Sequence, residues 1–291
     1  SSVQEFGKVF ISIKSTTGNF VPEIEKRRLV EDLSPFTVAS ITPVIVDPET
    51  LYLILDVSAR FNSNLTTLGS DDLQGTITNT LTNFNNNSLK TFNSAFRHSQ
   101  VTKLIDDSDT SLTSNITRVV LGKFFTPTLN ESVGYTISFN NVIFNPHAGH
   151  NTNEGGVIAS TGFKVSGDTV NEMFLDEDGF GNIRRFYILA GEKKYVDNTA
   201  GTVNYGNGIL SLNPLTINQV SDVDNTSSTQ IRITTIPDSV DIIPVRNQLL
   251  EIDLVNTAVN VAIDRLGVGD INTVNTADLA TSSFTKTVSG Y

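Results

Sequence analysis

At 291 residues the chain is long enough to bury a core without covalent staples and to form about two domains. It has no cysteine, which excludes disulfides, thiolate catalysis and cysteine-ligated zinc, and a net charge of −11 argues against a phosphate-binding surface. No apolar run approaches the ~20 residues that span a bilayer, no secretory leader opens the chain, and the first residue is Ser, which reads as part of a longer or processed protein.

Val9, Ile11 and Ile13 alternate with Phe10, Ser12 and Lys14, the pattern of a strand buried mostly on both faces. Pro22 suits a first helical position, and Glu23 and Glu25 suit the positive helix end. Leu29, Val30, Leu33 and Phe36 fall on one face, so a helix is expected over 21–34. Thr42 to Val46 and a return arm from Leu51 read as a hairpin around Asp47-Pro48-Glu49-Thr50. The return arm has the cleanest alternation in the chain. Leu51, Leu53, Leu55, Val57, Ala59 and Phe61 point one way, and Tyr52, Ile54, Asp56, Ser58 and Arg60 the other. Leu73, Ile77, Leu81 and Phe84 form the face of a second helix, weakened by Gly75 and broken or bent at Asn85-Asn86-Asn87. Leu89, Phe92 and Phe96 continue a helical face. Val101, Leu104 and Ile105 make a last short helix, and a closing strand runs from about Asn115 to Phe125.

After Pro127 the helical period vanishes and short strands follow at intervals, with Asn207-Gly208 as a strong turn dipeptide. Asn256 to Asp264 leans to strand, and the remainder reads as polar and extended. The expected fold is therefore α+β. Residues 1–127 form a ferredoxin-like βαββαβ domain, 128–255 a β-rich sandwich or open barrel, and 256–291 an extended, partner-ordered tail.

No catalytic constellation is visible, and no catalytic, cofactor-binding or metal-ligating residue is assigned. His147 and His150 lie three apart in a loop with Glu154 near, but zinc needs three or four ligands. They read as polar loop histidines. His98 has no evident nucleophile. Asp176-Glu177-Asp178-Gly179 lacks the twelve-residue ligand spacing of a calcium loop and reads as an acidic hairpin turn. Gly179-Phe180-Gly181 and Gly206-Asn207-Gly208 have no helix start behind them and read as turns. Lys26-Arg27-Arg28 reads as a solvated helix face. Phe61 and Phe124-Phe125 read as core.

Several segments carry a resemblance. They are Phe6 to Lys14, Val46-Asp47-Pro48 with Leu51-Tyr52-Leu53, Phe96 to Gln100 with Ile105, Gly201 to Tyr205 with Gly208-Ile209-Leu210, and Asp241 to Asn247. Over about residues 5–255 the chain resembles the C-terminal part of the baseplate wedge proteins of T-even-type contractile-tail phages, within the broader baseplate J-like family. The resemblance implies a virion structural subunit without enzymatic activity or cofactor, assembled in the bacterial host cytoplasm. It would link wedges into a ring around a hub and rearrange on sheath contraction. The implied partners are itself, as a homodimer within the ring, and other wedge and hub proteins, with no nucleic acid and no membrane insertion. The alternative is a receptor- or glycan-binding tail module, for which Tyr195, Tyr205 and Phe180 are the candidate stacking residues.

Overall fold

The computed structural model describes residues 7–14, 21–37, 41–150, 156–223 and 226–265. Of these, 47% lie in strands and 18% in helices, so the protein is mostly β rather than α+β.

The chain starts with β1 (Lys8–Ser12), α1 (Glu23–Leu33) and β2 (Thr42–Val46). β1 and β2 pair parallel in a two-stranded sheet of their own, from Lys8 opposite Thr42 to Ser12 opposite Val46. Parallel neighbours need a crossover, and α1 supplies it. Lys26 ties this helix back to the strand end, donating to Asp47 Oδ2 at 2.7 Å.

Next come β3 (Glu49–Phe61), α2 (Ser70–Phe84), a π-helical turn over Asn85–Leu89, α3 (His98–Asp106) and β4 (Leu112–Phe125). β3 and β4 pair antiparallel along most of their length. The alternation read in β3 sets its faces: Leu51, Leu53, Leu55, Val57, Ala59 and Phe61 are all buried. The covering layer is helical, with Leu73, Ile77 and Leu81 of α2 and Val101 and Ile105 of α3 buried against it. Each such side chain contributes roughly 1.5–3 kcal/mol on burial.

Ten strands follow: β5 (Ser132–Ser138), β6 (Ile158–Ser160), β7 (Phe163–Val165), β8 (Asp168–Glu177), β9 (Asn182–Leu189), β10 (Glu192–Asn204), β11 (Ile209–Val220), β12 (Ile231–Thr235), β13 (Gln248–Ile252) and β14 (Ala258–Ile263). β11 pairs with β10 through its first residues and with β7 through its last. With β7–β8, β8–β9 and β9–β10 also paired, strands β7 to β11 close a hydrogen-bonded ring, and β5 is added to β11 outside it. The remaining strands return to the first sheet. β12 pairs with β4 and carries β6. β13 and β14 lie parallel along β3, one opposite residues 49–53 and the other opposite 56–61. One sheet therefore collects strands from before residue 127 and from after it, and also from beyond residue 255.

The ferredoxin-like βαββαβ domain does not form. That arrangement needs all four of its strands in one antiparallel sheet. Here β2 pairs with β1 and not with β3, so the expected hairpin around Asp47-Pro48 is a change of sheet. The two edges of β3 are taken by β4 and by the β13–β14 pair. β1 is exposed to half-buried, not buried on both faces. The helical face expected through Phe92 is also absent. Leu89 and Phe96 are buried, but Asn93 takes a left-handed φ of 63° between them.

Asn85 does more than interrupt α2. It is buried, its Oδ1 accepts the Ile252 N–H at 2.8 Å, and its Nδ2 donates to Ile252 O at 3.4 Å. The side-chain amide thus satisfies the last residue of β13 as a neighbouring strand would. A single hydrophobic cluster runs from β3 and the helices, through Ile231 and Ile233, to Leu210 and Ile217 of the ring.

Candidate functional site

Two segments far apart in the chain, Phe96–His98 and Asp241–Ile242, meet in a clasp. Phe96 and Ile242 exchange backbone hydrogen bonds, each 2.9 Å. Beside them the Asp241 carboxylate accepts the His98 N–H at the start of α3 at 2.9 Å and the Arg97 Nη1 at 2.9 Å. The His98 ring contacts Thr117 O through Nε2 at 2.8 Å. An anion at a helix N-terminus satisfies free donors and complements the helix dipole. The hydrogen bond from His98, followed by that from Arg97, holds the Asp241 carboxyl below the ordinary aspartate range. Nothing local in the sequence marks Asp241 as a cap, because the helix it caps lies so far away along the chain.

The acidic stretch at 176–179 is only partly a turn. Asp176 and Glu177 end β8 and are buried. Asp176 Oδ1 accepts from Arg184 Nε at 3.0 Å, and its Oδ2 from Lys193 Nζ at 2.9 Å and the Tyr195 hydroxyl at 2.8 Å. Arg184 also donates to Glu177 O at 2.7 Å and lies over the Tyr195 ring at 4.2 Å. Glu177 Oε2 accepts the Ile158 N–H at 2.8 Å, which links the ring to β6. Burial, then the hydrogen bond to Asp176, pushes the Tyr195 hydroxyl up to about 12. This arrangement spends its charges on one another. It positions β8, β9 and β10 and presents no free acid or base. Asp178 and Gly179 make the turn, where Asp178 Oδ1 accepts the N–H groups of Phe180 and Asn182 at 2.8 and 3.0 Å.

His147 and His150 face each other edge to face with ring centroids 6.0 Å apart. His150 packs near Tyr205 and Phe144 at 6.1 and 6.5 Å. Each Nδ1 contacts a loop carbonyl, Ala148 O at 3.2 Å and His147 O at 2.9 Å. Glu154 lies outside the described residues. Among the described residues no group of three or more His, Asp or Glu is placed to hold a metal ion, and no helix is long and apolar enough to cross a membrane. Of the aromatic residues named for sugar stacking, Tyr195 is committed to Asp176, Tyr205 is half-buried beside His150, and Phe180 is exposed on the turn.

The glycines of the Gly201–Gly208 segment have steric roles. A Cβ on Gly201 would lie 2.4 Å from Ser211 O, where β10 crosses β11, and a Cβ on Gly208 would lie 2.1 Å from Asn141 O. Gly208 also takes a φ of 65°.

Exposed apolar side chains of the described residues include two sets that each belong to one small unit. The β1–α1–β2 unit exposes Val9, Phe10, Ile24 and, just after the helix, Phe36. A short ribbon, in which Phe144 N–H donates to Ile236 O at 3.0 Å and Asp238 N–H to Val142 O at 3.0 Å, exposes Val142, Phe144 and Ile236. Of the phenylalanines assigned to the core, Phe61 is buried. Phe124 instead is half-buried at a groove, against Tyr52.

Comparison with known proteins follows the same divisions. The family model for "Baseplate structural protein gp6, C-terminal domain I" matches residues 1–46, and that for "Baseplate structural protein gp6, C-terminal domain III" matches residues 49–123. The boundary between them falls where the chain leaves the β1–β2 sheet and enters β3. The chain is also similar to the baseplate wedge protein gp6 of Enterobacteria phage T4, 24% identical over 106 residues. That match covers 36% of this chain and 16% of the phage T4 protein. The resemblance to the C-terminal part of the baseplate wedge proteins therefore holds.

Proposed function

We propose that this chain is a structural part of a phage tail baseplate wedge, acting through its surfaces. The observation that carries this reading is the pair of gp6 C-terminal family models, matched in succession along residues 1–123. The structure supports it in a second way. The charged side chains of the buried cluster are consumed in mutual pairing, whereas apolar side chains stand exposed on the β1–α1–β2 unit and on the Val142–Ile236 ribbon. Exposed apolar groups collected in patches mark protein contacts.

In this reading the subunit sits in the virion baseplate. It pairs with a second copy, joins other wedge and hub proteins into a ring, and changes its contacts when the sheath contracts. Ring assembly requires closed, symmetric interfaces. A molecule whose first unit hangs on a separate two-stranded sheet has a natural place to change contacts without rebuilding its core.

Light scattering across a concentration series, from low to high micromolar, tests the self-association. The expected outcome is a mass that rises toward twice the chain mass, and a Phe10→Asp, Phe36→Asp double variant that associates more weakly. A mass that stays at one chain throughout overturns pairing by this region.

A further inference from the structure

The β3–β4 sheet packs one face on α2 and α3. The register fixes what stands on the other. Tyr52 lies opposite Gly122 on β4 and opposite Glu251 on β13, and Phe124 lies opposite Arg232 on β12. Paired residues share a face, and every second residue of a strand returns to it. Tyr52, Phe124, Glu251 and Arg232 therefore all stand on the side away from Leu51, Leu53 and Leu55. Phe124 meets Tyr52 edge-on at 5.0 Å. Gly122 has no side chain to fill the space beside Tyr52.

A groove runs over these two rings. One cavity of about 470 Å³ is lined by Tyr52, Phe124, Asn86, Gln230 and Asn256. A second, of about 240 Å³, shares Phe124, Gln230, Val255 and Asn256 with it, so the two adjoin at the Phe124 ring. Together they reach the size of ordinary ligand sites, and their elongated form suits a short chain of linked units.

The chemistry of the groove selects among ligands. Its charges balance. Lys90 pairs with Glu251, and Asp253 accepts the Asn256 N–H at 3.2 Å and the Asn256 Nδ2 at 2.7 Å. Arg232 supplies a second cation beyond Phe124. Two carboxylates and two cations leave no net sign to draw in an ion. Burial, then Glu251, then Asp253 pushes the Tyr52 hydroxyl above the ordinary tyrosine range, so it stays a donor. Asn86 and Gln230 are exposed amides at the rim, and amides both donate and accept. Both edges of β3, β4 and β12 are already paired, so a peptide laid on this face has no strand edge to join. An uncharged ligand dense in hydroxyls, with C–H faces to lie on aromatic rings, meets every one of these conditions.

We propose that this groove binds a neutral oligosaccharide, with a sugar ring against Phe124 and Tyr52 and its hydroxyls on Asn86 and Gln230. The site is separate from Tyr195, Tyr205 and Phe180, and it does not depend on the baseplate reading.

Isothermal titration calorimetry of the full chain with maltotetraose, cellotetraose and chitotetraose tests it. A tetramer of galacturonic acid and an extended hexapeptide of alternating Thr and Val serve as controls. Saturable binding of at least one neutral probe is expected, with an affinity that changes less than about twofold between roughly 50 and 500 mM salt. Phe124→Ala is expected to weaken it about tenfold, and Gln230→Ala or Asn86→Ala about fivefold. The two amides lie outside the core, so their variants report on the groove even where Phe124→Ala lowers the melting temperature. The proposal is overturned by no binding of any neutral probe at millimolar concentration, by binding of a control alone, or by binding that none of the three variants weakens.

Discussion

The β1–α1–β2 unit and the β3–α2–α3–β4 unit are both built from strands and helices with apolar faces at regular spacing, yet they are finished differently. In the second, Leu73, Ile77 and Leu81 of α2 are buried against β3. In the first, α1 has no buried residue, Ile24 is 76% exposed and Phe36 is 86% exposed. The local pattern is similar and the coverage is not. A helix draws most of its stability from packing its apolar face, so the second unit has its cover within the chain and the first has a face left for something else.

The sharpest way to break this comparison is to truncate one apolar side chain in each helix. Ile77→Ala in α2 is expected to cost about 2–5 kcal/mol in chemical denaturation. Leu29→Ala in α1 is expected to cost less than about 1 kcal/mol in dilute protein. Equal costs would mean that α1 is covered in solution, and the contrast would then be one of partners and not of stability.

A pair of glycines gives the next largest effects, with opposite signs. Gly201→Ala forces a Cβ to 2.4 Å from Ser211 O, and overpacking of that kind costs about 1–3 kcal/mol. Gly75→Ala in α2 meets nothing within 4 Å and is expected to stabilise by about 1 kcal/mol through helix propensity. Thermal melts of the two variants should move in opposite directions. A destabilising Gly75→Ala would show that α2 is strained as well as covered.

The smallest expected effect concerns the α3 cap. Hydrogen bonds from the His98 N–H and then Arg97 lower the Asp241 carboxyl in the folded state. A lowered folded value contributes stability that is present above the ordinary aspartate value near ~3.9 and is lost as pH falls through the folded one. Asp241→Asn should therefore lower the melting temperature slightly at neutral pH. The gap to the parent protein should close on acidification below about pH 4. A gap that stays constant with pH would mean that the carboxylate's charge does no work at the clasp.

Much of the secondary structure was legible because period two and period 3.6 are written in single side chains. The alternation from Leu51 to Phe61 and the face Leu73–Phe84 read directly, and both are buried as expected. Asn256 to Asp264 leaned to strand, and β14 occupies Ala258–Ile263. The interaction surfaces were harder to see. Phe36 belongs to the same apolar series as Leu29 and Leu33 and gives no sign that it ends exposed. Asp176 and Glu177 look like a polar turn, and only their partners Arg184, Lys193 and Tyr195 show why they are buried. The meeting of Phe96–His98 with Asp241–Ile242 was present as two separate motifs, and neither refers to the other.

From its own residues the chain determined which segments become strands or helices and which face of each is apolar, since those follow from side-chain size, polarity and spacing. Only the tertiary structure decided which strand lies beside which. The edges of a strand carry the same N–H and C=O groups whatever the sequence, so hydrogen-bonding capacity alone cannot distinguish β1 from β13 as a neighbour for β3. That choice was made by the packing of the whole core. It sent β13 and β14 to the edge of β3 and left β1 and β2 paired with each other, in place of the ferredoxin-like sheet.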